Sequence, residues 1–169
     1  MIEFRTPQLA DKVWMDQLLS RSNYRGCEYN FTNLFAWKDA YHHKVARLDD
    51  FLVVHLCGGL ACSLLYPAGS GDRRAVIEAL RADAEAHDQP LRLVCLTREQ
   101  TQELEELFPG RFRFESDRDG WDYLYEIDRL ADLGGKKLHG KRNHINRFLD
   151  NNPTWVYEPI TPDSLPECL

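Results

Sequence analysis

Three short apolar runs separated by two-residue turns constrain the fold of this chain more than any other feature. The runs cover residues 44–48, 51–57 and 60–66, and the turns between them are Asp49-Asp50 and Gly58-Gly59. Acidic and glycine pairs at such short connections are typical of tight β-hairpin turns. Strands joined in this way pair antiparallel. The sequence therefore predicts an antiparallel meander near the middle of the chain.

The residues before this meander predict one short strand and two helices. The strand covers residues 2–4. Thr6 and Pro7 suit the N-cap and the first position of a helix that runs through Ser20. A second, aromatic helix is predicted over residues 31–41. We expect its large apolar side chains to lie in the core, namely Phe31, Leu34, Phe35 and Trp37.

The residues after the meander predict two helices that alternate with strands. Asp72 is placed to cap the first helix, whose inward side chains are expected to be Val76, Ile77 and Leu80. Thr97 is placed to cap the second helix, with Glu99 or Gln100 completing a capping box. The predicted strands cover residues 91–96, 111–115 and 122–127.

This order of elements predicts an α+β fold with a mixed sheet. Strands joined by short turns form an antiparallel half, and the two later helices provide crossover connections to further strands. The order is that of the Gcn5-related N-acetyltransferase (GNAT) fold. In that fold, the glycine loop between the fourth strand and the third helix holds the pyrophosphate of coenzyme A. Residues 69–72 occupy that position here.

The glycine loop is the first candidate for binding a phosphate-bearing cofactor. Gly69, Ser70 and Gly71 precede a predicted helix N-terminus, where backbone N–H groups and the helix dipole favour an anion. Arg73 and Arg74 follow in the first helical turn and add positive charge. The same residues also fit an ordinary turn capped by the next aspartate, and the sequence leaves both interpretations open.

A basic stretch over residues 134–149 is the second candidate. It holds five Lys and Arg residues and no Asp or Glu; the whole chain has a net charge of −6, so the remainder sums to −11. Such a run repels itself unless a negative group meets it. Lys136, Lys137, Lys141 and Arg142 are the candidates for contacting donor phosphate. Alternatively, the stretch is a solvated helix, or a strut whose charges pair with the acidic residues 99–128.

The basic stretch also has the apolar spacing of an amphipathic helix. On an ideal helix, Leu138, Ile145 and Leu149 fall in one narrow stripe. His139 and Arg142 share one flank of that helix. Gly140 lacks a side chain, which fits a close approach by another backbone or a ligand. The pattern predicts a helix that docks by a thin apolar seam and presents hydrogen-bond donors around the rest of its surface.

Other features exclude several classes of protein. The five cysteines are odd in number, and three of them, Cys57, Cys62 and Cys95, lie in apolar runs, which indicates reduced, buried thiols in a cytoplasmic protein. No apolar run approaches the roughly 18 residues of a membrane span. His42 and His43 are adjacent and point in different directions, and no further ligand has helical spacing from them. We therefore predict no metal site.

Three segments resemble a known bacterial family. They are EYNFTNLFAW (residues 28–37), YPAGSGD (residues 66–72) and DYLYEIDRLADLGGKKLHGKRNHINRF (residues 122–148). Together they resemble an uncharacterised family related to the catalytic C-terminal domain of phosphatidylglycerol lysyltransferases. The resemblance implies two tandem GNAT-like domains. The first would cover residues 1–133, a basic inter-domain helix residues 134–153, and the start of a second domain residues 154–169.

The resemblance also implies transfer of an acyl or aminoacyl group. The donor would be an aminoacyl-tRNA or acyl-coenzyme A, the acceptor an amine or hydroxyl, and the partner of this domain a second domain of the same chain. Four side chains could transfer the proton, and the sequence does not choose among them: Tyr123, Tyr125, His139 and His144. Alternatively, the chain is a non-catalytic module that holds RNA or another anion through the basic helix, or a structural module.

Overall fold

The computed structural model describes residues 1–56 and 63–168. Its central element is a five-stranded mixed sheet. Its strands are β1 (Lys44–Leu48), β2 (Phe51–Leu56), β3 (Ser63–Leu65), β4 (Ala68–Gly69) and β5 (Leu93–Val94). β1 pairs antiparallel with β2, β2 pairs antiparallel with β3, and β5 pairs parallel with β3. The predicted meander and the α+β class with a mixed sheet are confirmed. The predicted Gly58-Gly59 turn lies outside the described residues, as do Cys57 and Cys62.

β3 and β4 pair with opposite ends of β2. His55 of β2 faces Leu64 of β3, whereas Phe51 faces Gly69 of β4. Tyr66 and Pro67 separate the two short strands. Proline has no N–H to give to a strand ladder, so the pairing is interrupted there.

Seven α-helices surround or follow the sheet in the described residues. The bounds are α1 (Lys12–Ser22), α2 (Phe31–Ala36), α3 (Lys38–Tyr41), α4 (Arg73–Ala86), α5 (Arg98–Leu107), α6 (Ile127–Asp132) and α7 (His139–Asn151). Short 3₁₀ turns cover Leu9–Asp11, Lys136–Leu138 and Leu165–Cys168. No helix in this part of the chain is both long enough and apolar enough to cross a bilayer.

Two of the predicted helix caps are confirmed. The Asp72 side chain accepts a hydrogen bond from the Ala75 amide at 3.1 Å. At α5, Thr97 and Gln100 form the reciprocal capping box. The predicted start of the first helix is wrong, because Thr6 and Pro7 lie before a 3₁₀ turn that leads into α1.

The core has two layers, one on each face of the sheet. Met15, Leu18 and Leu34 from α1 and α2 pack on one face with Leu52 and Val54. On the other face, Phe51 and Val53 pack with the buried side chains of α4 and α5. These side chains are Val76, Ile77, Leu80 and Leu104. Strand β2 is therefore buried on both faces, and the inward direction predicted for Val76, Ile77 and Leu80 is confirmed.

Several predicted strands are absent from the described residues. Residues 111–115 and 154–160 form no strand, residues 122–126 are irregular, and residue 127 begins α6. The predicted strand over residues 2–4 reduces to one bridge between Arg5 and Val45. Alternation of apolar and polar residues indicates only a tendency to form a strand, since a strand also needs a free sheet edge to pair with. The predicted strand over residues 91–96 shortens to Leu93–Val94 for the same reason.

Two predictions of burial are also wrong. Trp37 is half exposed, although Phe31 and Leu34 of the same aromatic segment are buried. The thiol-bearing residue Cys95 is exposed, just after β5, with a left-handed φ of 57°. The aromatic segment is divided into α2 and α3, with Trp37 between them, so its side chains do not follow a single helical face.

The described residues divide into two compact units, Met1–Asp122 and Tyr123–Leu169. The first contains the sheet and α1–α5, and the second contains α6 and α7. The domain limits at residues 133 and 153, and the second domain beginning at residue 154, stay predictions.

A buried carboxylate fastens the N-terminal segment to the first unit. Asp11 is 5% exposed and accepts hydrogen bonds from Arg5 Nη1 at 2.6 Å, Gln8 N at 2.7 Å and Trp14 Nε1 at 2.9 Å. The Arg5 guanidinium and these other donors hold the pKa of Asp11 well below its usual range. The ionised form is therefore the one that stabilises the fold.

We expect Asp11→Asn to lower the free energy of unfolding by about 1–3 kcal/mol at pH 7. Because the pKa of Asp11 is depressed in the folded state, its contribution is present above roughly pH 4 and is lost as the pH falls further. Urea denaturation at pH 7, 5 and 3.5 measures this. The control is Asp16→Asn, which removes the exposed pair with Lys12 and costs about 0.5 kcal/mol or less. A difference from the unmodified chain that does not shrink with falling pH would contradict the assignment.

Candidate functional site

The glycine loop is fastened to the protein through its own amides. Gly69 N donates to Ser22 Oγ at the end of α1, and Ser70 N donates to the Asp50 carbonyl at 3.3 Å. A Cβ on Gly69 would lie 2.0 Å from that same carbonyl oxygen. The Gly69 amide therefore holds the loop to the end of α1, and the Ser70 amide holds it to the β1–β2 turn. These contacts favour the structural interpretation, and a phosphate cradle formed by Gly69, Ser70 and Gly71 stays a prediction.

Arg73, the cation that follows this loop, is satisfied inside the protein. Its side chain is 14% exposed, and its Nε lies 2.9 Å from Glu103 Oε1. The guanidinium also donates to the Pro67 carbonyl and lies 4.9 Å and 5.0 Å from the ring centroids of Phe51 and Tyr66. Burial and the neighbouring Glu103 raise the pKa of Tyr66 well above its usual range. Arg73 thus acts as a packed, paired structural cation.

The basic stretch forms two kinds of helix rather than one. Lys136 and Lys137 lie in the 3₁₀ turn Lys136–Leu138, and α7 begins at His139. Lys141 and His144 lie one turn apart within α7, as the ideal helix predicts. The single continuous helix predicted from residue 134 is therefore wrong at its N-terminal end, where Gly135 has a φ of 82°.

Arg142 differs from the other candidate cations because it closes the turn between α6 and α7. Its Nη1 donates to the carbonyls of Leu133 and Gly135, the latter at 3.0 Å. Leu133 is in the left-handed region, with a φ of 49°, and ends α6. Arg142 therefore satisfies carbonyls that the end of α6 leaves open. No local sequence signal indicates this role, because the contact depends on the chain folding back over Gly134 and Gly135.

The three candidate lysines, Lys136, Lys137 and Lys141, are exposed, and they have no acidic partner among the described residues of their own unit. Among the described residues of Tyr123–Leu169, no carboxylate lies within 4.0 Å of Lys136, Lys137 or Lys141. The N-cap of α7 has no side-chain hydrogen bond, and no acidic residue lies in its first turn. The pairing of this helix with residues 99–128 stays a prediction.

Of the four candidate proton carriers, the histidine at the start of α7 has the most defined surroundings. His139 Nδ1 lies 3.4 Å from Arg142 Nη2, and His139 Nε2 lies 3.3 Å from the side-chain amide of Asn143. A guanidinium only donates, so Nδ1 accepts in this contact. The flank shared by His139 and Arg142 is confirmed. Each ring nitrogen of His139 therefore faces a side chain of α7.

The two tyrosines lie together, before α6. The rings of Tyr123 and Tyr125 stack with centroids 6.4 Å apart, and both side chains are exposed. His144 is exposed on α7. Among the candidate proton carriers, Tyr123 therefore contacts Tyr125, and His139 contacts Arg142.

The apolar stripe of α7 is only partly covered. Ile145, Phe148 and Leu149 are all partly exposed, and Phe148 contacts Trp155 edge-to-face at 5.8 Å between ring centroids. No described residue of the unit Tyr123–Leu169 is buried. In residues 1–56 and 63–168, no group of three or more His, Cys, Asp or Glu side chains is arranged to hold a metal ion.

Comparison with known proteins identifies the family. The sequence profile described as "Phosphatidylglycerol lysyltransferase, C-terminal" matches residues 19–169. The chain belongs to this family. The resemblance of the three segments is thereby confirmed.

A solved relative of this family member is a conserved protein of unknown function from Bacteroides thetaiotaomicron VPI-5482. The two are 38% identical with a TM-score of 0.84, and the match covers 99% of the present chain. This chain spans 57% of the length of that protein. No protein of curated function matches the sequence.

We expect Arg142→Ala to loosen the connection between α6 and α7, because the carbonyls of Leu133 and Gly135 lose their donor. Two lost charge-assisted hydrogen bonds lower the free energy of local opening by about 1–3 kcal/mol, which corresponds to roughly a 5- to 150-fold increase in cleavage. Limited proteolysis with a non-specific protease, mapped by mass spectrometry over residues 133–136, measures this. Lys141→Ala is the matched control and should leave cleavage unchanged. Equal cleavage of the two variants would show that Arg142 does not close the turn.

A second prediction concerns Gly140, in the first turn of α7. Within the described part of the unit Tyr123–Leu169, a Cβ there would meet no atom within 4 Å, so that unit does not itself make the close approach expected from the sequence. Gly140→Ala should stabilise α7 by about 0.5–1 kcal/mol, since glycine loses more backbone entropy in a helix. Slower amide hydrogen exchange in residues 143–149 would report the gain. Faster exchange would reveal a steric constraint at this position.

Proposed function

We propose that this chain is part of an acyl- or aminoacyltransferase with a GNAT-like domain. The enzyme would transfer the group from a phosphate-bearing donor, either aminoacyl-tRNA or acyl-coenzyme A, to an amine or hydroxyl acceptor. Membership of the lysyltransferase C-terminal family supports this class of reaction. The observation that carries the proposal is the set of three lysines around the uncapped start of α7, Lys136, Lys137 and Lys141.

The position of these lysines is electrostatically unfavourable without an anion. The N-terminus of a helix carries a partial positive charge, and cations nearby are destabilising. α7 begins with lysines on both sides of His139, no acidic residue in its first turn and no side-chain cap. A phosphate at this end would satisfy open N–H groups and neutralise the lysines together. This arrangement suits a phosphate-bearing donor.

The sheet supports the GNAT-like part of the proposal. An antiparallel β1–β2–β3 half is followed by β5, which pairs parallel with β3 after the α4 crossover. A change from antiparallel to parallel pairing at β3 is what the predicted order of elements requires. The loop that precedes α4 lies at the position expected for a coenzyme A pyrophosphate, although the amides of Gly69 and Ser70 have partners inside the protein.

The chemistry needs orientation and one proton transfer. The acceptor nitrogen or oxygen attacks the carbonyl carbon of the donor, and the ester C–O or thioester C–S bond then breaks. The proton leaves the acceptor and reaches the departing oxygen or sulfur. His139 is the candidate whose ring is held in place, by Arg142 at Nδ1 and by Asn143 at Nε2. Tyr123, Tyr125 and His144 are the alternatives.

We expect the double variant Lys137→Glu, Lys141→Glu to lose binding of tRNA or coenzyme A without loss of the fold. Each phosphate contact contributes a salt-dependence slope of about 0.7–0.9, so any residual binding should show a slope shallower by about 1.5. Titration of the full chain at several salt concentrations measures both quantities. Circular dichroism checks the fold.

The matched control is Arg92→Glu, Arg111→Glu, which makes the same change in net charge at two exposed residues of the other unit. It should retain binding. Unchanged binding by the lysine variant would remove the proposal. Binding that depends on the lysines but occurs without any turnover of a charged tRNA or acyl-coenzyme A would favour the alternative, a non-catalytic RNA- or anion-binding module.

A further inference from the structure

A cleft of about 360 Å³ lies in the unit Met1–Asp122, away from the basic helix in sequence. Besides two leucines, its lining consists of Glu28, Asn33, Trp37, Tyr41 and His43. Its volume is within the range of small-molecule sites. The segment EYNFTNLFAW supplies most of the lining, and the proposed transfer reaction gives that segment no role.

Two aromatic rings beside the cleft are exposed without an evident structural reason. Trp37 and Tyr41 are 51% and 52% exposed, and their centroids lie 5.6 Å apart at an interplanar angle of 51°. Tyr41 also stacks on His43, with centroids 5.8 Å apart. Faces of Trp and Tyr attract organic cations within about 6 Å. The rings thus offer a cationic ligand an apolar, electron-rich wall.

The charged group that lines the cleft is the Glu28 carboxylate, which only accepts hydrogen bonds when ionised. Glu28 Oε2 is buried and has no hydrogen-bond partner among the described residues. The thiol of Cys95 lies near the same carboxylate, but a thiol is only a weak donor. Glu28 lines the cleft, so a donor supplied by a ligand to its carboxylate would offset this shortage of donors.

The orientations of Asn33 and His43 are set by the backbone around them. Asn33 Nδ2 donates one of its two N–H groups to the Cys27 carbonyl at 2.9 Å, and Oδ1 is the acceptor of that side chain. His43 Nδ1 lies 3.2 Å from the Leu34 carbonyl, and a carbonyl only accepts, so Nδ1 donates. In the neutral ring, Nε2 is then an acceptor. Neither Lys nor Arg lines the cleft.

We propose that this cleft binds a protonated primary alkylamine, with the ammonium group bonded to the Glu28 carboxylate and the alkyl chain against Trp37 and Tyr41. An ammonium has three donors and no acceptor, which matches a carboxylate beside aromatic faces. An anionic ligand would meet a carboxylate and no cation. This inference does not depend on phosphate binding by the basic helix, and either can fail without the other.

The test uses n-butylammonium as the probe and n-butanol as its neutral counterpart of the same length. The chain has four tryptophans, so ¹⁵N labelling of the indoles gives a spectrum with few signals. The Trp37 signal is assigned by its loss in Trp37→Phe. At pH 7 we expect n-butylammonium to shift the Trp37 signal saturably, with n-butanol at least about tenfold weaker. The signals of Trp121 and Trp155 should not move.

The contribution of the carboxylate is tested by substitution. Glu28→Gln keeps the shape of the side chain and should weaken n-butylammonium binding by about tenfold or more while leaving n-butanol unaffected. The control is Asp39→Asn, which removes an exposed charge close in sequence that pairs with Lys38. It should bind as the unmodified chain does.

Three results would overturn the proposal. They are no saturable shift of the Trp37 signal, equal shifts by the amine and the alcohol, and unchanged amine binding in a folded Glu28→Gln variant. The comparison of amine with alcohol needs no variant, so it decides the matter even if Glu28→Gln does not fold.

Discussion

Strand β2 sends alternate side chains into two separate cores, and the first unit is arranged around this alternation. Leu52 and Val54 contact α1 and α2, whereas Phe51 and Val53 contact α4 and α5. Full burial of such a side chain contributes about 1.5–3 kcal/mol. A shift of register by one residue would exchange the two sets, so the pairing of β2 with its neighbours fixes where α1, α2, α4 and α5 pack. The cleft lined by Glu28 and Trp37 depends on that arrangement through α2.

The chain uses its cations in two contrasting ways. Arg73 and Arg142 are paired with a carboxylate or with backbone carbonyls, and they hold loops in place. Lys136, Lys137 and Lys141 are exposed around a helix start where a positive charge is disfavoured. A planar guanidinium suits fixed, multi-centre contacts, whereas an ammonium on a flexible chain suits a ligand that arrives from solution. The two arginines thus have structural contacts, and the three lysines are exposed to solution, as this difference between the side chains would favour.

Local sequence signals were enough for part of the fold. The meander, the caps at Asp72 and Thr97, and the inward side chains of α4 each depend on spacing over a few residues. The strands expected at residues 111–115 and 154–160 depend on a free sheet edge, which the local pattern does not contain. The exposure of Trp37 is not evident from the sequence, because a short aromatic helix gives no sign of which face is covered.

The candidate site was less predictable than the fold. The basic residues were evident, but the closing role of Arg142 arises from a long reach back over two glycines. The partners of Gly69 and Ser70 come from Ser22 and Asp50, far away in sequence. The cleft likewise combines residues from α2, α3 and β2. Such convergence depends on tertiary packing, so no motif could indicate it.

The near-contact between Gly69 and the Asp50 carbonyl has a consequence for how this loop can vary. Any side chain at residue 69 would collide with backbone that is itself held in the sheet. The neighbouring Ser70 has an exposed side chain, so a substitution there does not meet this collision. The Asp50 carbonyl oxygen thus excludes any side chain at residue 69 and sets the path of the main chain into α4. That path would stay the same even if the other side chains of the loop were replaced.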